Sequence, residues 1–175
     1  MGYYITLKEC NVAIPRAMEG VALKALHALD NYDQLKSGGE WGGPGGTKKR
    51  AWYAWMPTDL TTITTLEEFL QNIGFYTQSD DVEITITGYD SKTGAEQIFM
   101  WAIAPYVILA DKESHDDPYM FWQGEDGSMW RWTFVDGELH EESAMVHWDR
   151  TGVWNPVGDG GFVLHREAFE EEARS

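Results

Sequence analysis

The chain reads as an α+β protein, with a mainly antiparallel sheet, two or three helices packed on one face and a C-terminal β-meander. Three observations carry that reading. Apolar residues recur at helical spacing in two early stretches, 16–29 and 64–74. Three strand-like runs, the first two aromatic-rich, come late, separated by Gly-containing turns. There is neither an internal repeat nor the regular strand–helix alternation of a parallel sheet. With 175 residues, 43% hydrophobic and 14% aromatic, the chain can build one sizeable core without disulfides.

Taken in order, Tyr3 to Lys8 alternates like a half-buried strand. Asn11 to Pro15 reads as a turn, Pro15 suiting the first turn of a helix. Met18, Val21, Ala22, Ala25, Leu26 and Leu29 then mark an amphipathic helix that fades near Asp30. Residues 37–46, rich in glycine, read as a flexible loop leading to Lys48-Lys49-Arg50, and Ala51 to Met56 fits a strand stopped by Pro57. Thr64 and Glu67 have capping-box spacing ahead of a helix whose buried stripe is Leu66, Phe69, Leu70 and Ile73, ended by Gly74. Val82 to Thr87 alternates as a strand, and Tyr89 to Gly94 reads as a turn. Ala95 to Tyr106 has helical spacing punctuated by Pro105, with a buried strand as the alternative.

The meander follows as Tyr119–Gly124, Met129–Phe134 and Leu139–Trp148, with turns at Glu125-Asp126-Gly127 and Asp136-Gly137. Thr151 to Gly161 reads as loop and Arg166 to Arg174 as a short acidic helix. The expected organisation is one domain over 1–165 with an acidic tail over 166–175.

The formal net charge is -16, and the acid is not spread evenly. Asp111 to Ser175 holds sixteen acidic and five basic residues. Such a balance argues against direct nucleic-acid binding, which needs a basic footprint, and against an anionic membrane surface. The longest apolar stretch, Ile98 to Ala110, is interrupted by Pro105 and too short to span a bilayer. A single cysteine, Cys10, forms no intramolecular disulfide and fits a cytoplasmic setting.

No complete catalytic or cofactor motif appears, so no cofactor is expected. Lys48, Lys49 and Arg50 after a Gly-rich stretch invite an anion-cradle reading, yet the Gly-Lys-Ser/Thr of a P-loop is missing. His115, Asp116, His140 and Glu142 supply metal-binding side-chain types for a hydrolase, without a spacing that brings them together. The most concentrated local feature is the hairpin over 121–134. Trp130 and Trp132 share one strand face, with Trp122 opposite on the neighbouring strand. They make either a core face or an aromatic platform. Arg131 is the lone cation among Glu125, Asp126, Asp136 and Glu138.

Residues 64–148 resemble small uncharacterised proteins of bacteriophages, chiefly of actinobacteria, and of their hosts. The points of resemblance are Ile73-Gly74-Phe75, Tyr89-Asp90, Ala102-Ile103-Ala104-Pro105-Tyr106-Val107, and Gly124-Glu125-Asp126-Gly127 leading to Trp130-Arg131-Trp132-Thr133-Phe134. The resemblance implies a phage or mobile-element origin and carries no activity. Together these features lead us to expect a non-enzymatic acidic accessory protein that binds a host protein with a basic surface, one that itself binds nucleic acid being a special case. Trp122, Glu125, Asp126, Trp130, Arg131, Trp132 and Glu138 are its expected contact residues. A nucleotide or other small-ligand binder, using Lys48, Lys49, Arg50 and a Trp-lined pocket, is the alternative. Oligomeric state is left open.

Overall fold

A computed structural model describes residues 3–42, 47–110 and 116–144, with 41–42 and 47–50 described in backbone alone. Strand β1 (Tyr4–Cys10) alternates as its sequence predicts, sending Ile5 and Leu7 into the core. The chain does not turn after Asn11 but continues as β2 (Val12–Pro15). Burial explains the difference. Val12, Ala13 and Ile14 are all fully enclosed, so both sides of the strand are covered and no polar alternation marks it. Asn11 pins the junction, its Oδ1 accepting the Tyr119 N–H at 2.6 Å and its carbonyl accepting from Ala110.

Pro15 precedes a 3-10 turn (Arg16–Met18) leading into α1 (Glu19–Ala28). Ala22, Leu26 and Leu29 are buried as expected, whereas Met18 and Val21 are exposed. The tighter winding of the 3-10 turn takes Met18 off the α-helical register, and Val21 sits to one side of the stripe through 22, 26 and 29. The Gly-rich stretch is strand over its described part. There β3 (Gly38–Gly42) pairs antiparallel with β4 (Thr47–Trp52) as a separate two-stranded sheet. The strand expected over 51–56 therefore lies earlier and ends at Trp52. Composition favours a loop here, but glycine keeps both backbone hydrogen-bonding groups and a ladder satisfies them.

Helix α2 (Leu66–Ile73) starts one residue later than the Thr64–Glu67 spacing predicts. Thr65 accepts the Glu68 N–H at 3.2 Å, and the Glu68 carboxylate reaches back to the Thr64 N–H at 3.1 Å. Glu67 instead takes Arg16 at 3.1 Å and the Ser79 hydroxyl. Leu66, Phe69, Leu70 and Ile73 are buried, and Gly74 closes the helix on the Leu70 and Gln71 carbonyls.

Strand β5 (Phe75–Ser79), absent from the expected elements, pairs with β6 (Glu83–Lys92). The latter continues to Lys92, through most of the turn expected at 89–94. Tyr89 is held in the core against Phe75 and Trp122, and Asp90 to Lys92 pair with β1. Helix α3 (Glu96–Ile103) and a 3-10 turn (Ala104–Tyr106) containing Pro105 decide for helix over strand in that segment. The buried Glu96 carboxylate accepts the Gly94 N–H at 2.6 Å, placing negative charge at the helix N-terminus.

The remaining strands are β7 (Ile108–Leu109), β8 (Tyr119–Gly124), β9 (Met129–Val135) and β10 (Glu138–Ser143). Asp136 and Gly137 have φ of 51° and 79°, the paired left-handed conformation that an Asp-Gly hairpin turn requires. The main sheet runs β10-β9-β8-β1-β6-β2-β7, with β5 on β6. It is mostly antiparallel and has three helices with it, so the α+β class holds. One core joins the layers, with Phe69 edge-on to Phe99 at 5.3 Å and Phe75 meeting Trp122 at 6.2 Å. No helix among the described residues is long and apolar enough to cross a membrane. The strand expected over 139–148 is seen to Ser143. Ala144 follows outside the strand, and residues 145–148, the loop over 151–161, the helix over 166–174 and the domain boundary at 165 lie outside the described residues.

Candidate functional site

Register places Trp122 opposite Trp130 and Met120 opposite Trp132. Trp122 is fully buried, ringed by Phe75, Tyr89, Trp130 and Trp132, the last at 4.7 Å between centroids. Trp132 is also buried, and its indole donates to Glu141 at 3.1 Å. These two rings are a core face, and of the three only Trp130 keeps part of its surface outside. A pocket lined by all three tryptophans is therefore not available to a ligand.

Arg131 lies on the opposite sheet face. Its Nε donates to Glu142 directly across the strand at 2.8 Å, and its guanidinium sits over the Tyr119 ring. With Glu9, Phe121 and Trp130 these groups border an open cleft of about 330 Å³. Its chemistry is already spent. The cation is paired, and the Tyr119 phenol, donating to Glu9 at 2.6 Å, is pushed up to about 12 by that bond and by desolvation. Burial likewise pushes the Cys10 thiol up to about 12, which makes it a poor nucleophile.

Glu125 and Asp126 occupy the β8–β9 turn, both exposed. The Asp126 carboxylate accepts the Tyr3 hydroxyl and the Ser128 N–H, and these bonds hold it down to about 2. Gly124 makes room for that arrangement, since a Cβ there would fall 1.7 Å from the Tyr3 oxygen. Glu138 lies beyond the other end of β9, so strand rise separates the two acidic turns by roughly 20 Å. They do not form one patch.

Glu138 instead borders a surface organised around Trp101, a residue missing from the sequence-based expectations. Phe99, Met100 and Ile103 bury one side of α3, and Trp101 points away with 61% of its surface exposed. Three adjoining clefts share it. One, of about 340 Å³, lies over Ala25, Ala28 and Ala102 between Tyr32 and Leu35. The second, about 370 Å³, is bounded by Leu35, Ile98 and Leu139, and the third, about 490 Å³, by Pro105, Gly137 and Glu138. Glu138 of the third cleft is an exposed carboxylate, and Asp33 follows Tyr32 of the first in sequence. Asp33 has 74% of its side chain exposed and Glu138 has 79%. Lys36 is buried in ion pairs with Asp30 at 3.0 Å and Asp33 at 2.8 Å. Desolvation works against its charge, but hydrogen bonds to Asp33 and Asp30 outweigh that and raise its pKa. An aromatic residue off the apolar stripe of an amphipathic helix is the signal that identifies Trp101 from sequence.

No family model matches the chain, and no curated protein or solved structure does either. Function is therefore to be read from the chain's own geometry. Lys48, Lys49 and Arg50 lie on β4, with Arg50 across from Glu40 and Lys48 across from Trp41 in backbone register. His115 lies outside the described residues. Among the described residues no three His, Cys, Asp or Glu side chains are grouped to hold a metal ion. His140 and Glu142 share the outer sheet face, where Glu142 is engaged by Arg131.

Proposed function

We propose that this is an acidic accessory protein that works by binding another protein, with the Trp101 surface as its docking site. The observation that carries the reading is a largely exposed indole at the junction of three clefts, two of them mainly apolar. Tryptophans standing in pockets are the residues on which interface energy concentrates. Contiguous exposed apolar surface rimmed by polar groups marks interaction sites rather than ordinary surface. The titratable groups of the outer cleft support binding over catalysis, since the phenol, the guanidinium and the carboxylates there are bonded to one another. The resemblance over 64–148 supports a phage-encoded protein acting on a host protein in the host cytoplasm. Of the contact residues expected from sequence, Glu138 belongs to this surface, and Glu125 and Asp126 serve a separate turn.

The test is capture from bacterial lysate with wild-type and Trp101→Ala protein as baits, at low and high salt. A protein retained by the wild type, lost with the variant and weakened by salt is the expected result. Equal capture by both baits, or none by either, overturns the reading.

A further inference from the structure

We infer that the Trp101 surface takes an amphipathic helix whose apolar face is flanked by basic residues. This rests on the docking reading above and names the chemistry of the occupant. Two observations lead to it. The first is what lines the clefts. The cleft over Ala25, Ala28 and Ala102 is walled largely by the sides of α1 and α3, whose backbone groups are already bonded within each helix. An extended peptide laid there would find no ladder partner and would leave its own N–H and C=O groups unpaired. A helix satisfies these internally and presents side chains at i, i+3 and i+4, the arrangement needed to straddle a central post. Trp101 is such a post, and the alanines 25, 28 and 102 let an approaching backbone come close.

The second observation is charge. Among the described residues that line the three clefts none is basic, and the charged one is the exposed carboxylate Glu138. Lys36 is occupied by two carboxylates. A second copy of this chain would bring another Glu138 to the interface and no cation from the described cleft residues to meet it. A helix with basic residues beside its apolar face meets Glu138 with opposite charge.

The experiment uses the full chain and two synthetic helical peptides with the same leucine face, one flanked by lysines and one by glutamates, titrated by fluorescence anisotropy. The lysine-flanked peptide is expected to bind. Trp101→Ala should weaken it by about tenfold or more, the range of an anchor residue. Glu138→Lys should weaken it by about threefold, as for a charge at an interface rim. Tyr76→Ala, which removes an exposed aromatic on β5, should change nothing. If the glutamate-flanked peptide binds equally well and also depends on Trp101, the charge inference is overturned while the docking reading stands. If neither peptide responds to Trp101→Ala, both fall. Self-association of the wild type in sedimentation velocity, lost in Trp101→Ala, would make a second copy the occupant and overturn the inference.

Discussion

Trp122 has none of its surface in water and is surrounded by Phe75, Tyr89, Trp130 and Trp132, whereas Trp101 stands on α3 with alanines and a proline nearby and 61% of its surface exposed. The same side chain thus serves two purposes in one fold. On the sheet, neighbouring strands bring other large rings into register, and these cover it. On the helix, Ala25, Ala28 and Ala102 are small and Tyr32, Leu35 and Leu139 stand across clefts from it, so nothing among the described residues encloses it. An indole that is covered contributes to stability. One that is not is apolar surface available to a partner.

The contrast is broken most severely by matched truncations. Trp122→Ala should destabilise by about 3–5 kcal/mol, the cost of removing a large aromatic from a packed core. Trp101→Ala should stay within about 0.5 kcal/mol of wild type, as expected for surface positions. Urea denaturation of the two variants checks both, and similar losses would erase the distinction. Trp122→Phe sharpens it. The buried indole N–H of Trp122 has no acceptor among the described residues, so phenylalanine gives up volume but also removes an unsatisfied donor. Its loss should therefore be clearly smaller than that of Trp122→Ala in the same denaturation series.

Next in size is Gly124→Ala. It forces a Cβ onto the Tyr3 hydroxyl, the far end of a side chain that must swing aside and give up its bond to Asp126, and should cost about 0.5–1.5 kcal/mol, read as a lowered urea midpoint. The acid limb of stability is a smaller effect. The folded pKa of Asp126 is depressed, so the stability it contributes is present above its ordinary value of 3.8 and lost as pH falls towards about 2. Carboxyl-carbon NMR should show that midpoint, and Tyr3→Phe should return it towards 3.8. The smallest effect is expected at Arg131. Its pair with Glu142 is about half exposed, so Arg131→Ala should cost less than about 1 kcal/mol and leave peptide binding at Trp101 unchanged.

The fold was legible where side-chain period and turn chemistry agreed. The stripe of α2, the Asp136-Gly137 hairpin and the three meander strands follow from residues that have few other uses. It was not legible where tertiary burial outweighed local preference. Val12 to Ile14 lack alternation because both faces are covered, and Tyr89 sits in a stretch of turn-forming residues yet belongs to a strand held by the core. The site divided in the same way. The conspicuous tryptophans of the hairpin went mainly to the core, as their alternation on a half-buried sheet allows. Glu138 reached the surface of interest only because the β9–β10 turn lies beside Pro105 and Trp101, a juxtaposition of residues distant in sequence. Trp101 was visible in principle as the large residue on the wrong side of α3.

The most direct measurement is the affinity of the lysine-flanked helical peptide for wild type and for Trp101→Ala, with their urea midpoints determined on the same samples. The midpoints should match while affinity falls by about tenfold or more. Equal affinities at matched stability would contradict a docking role for Trp101.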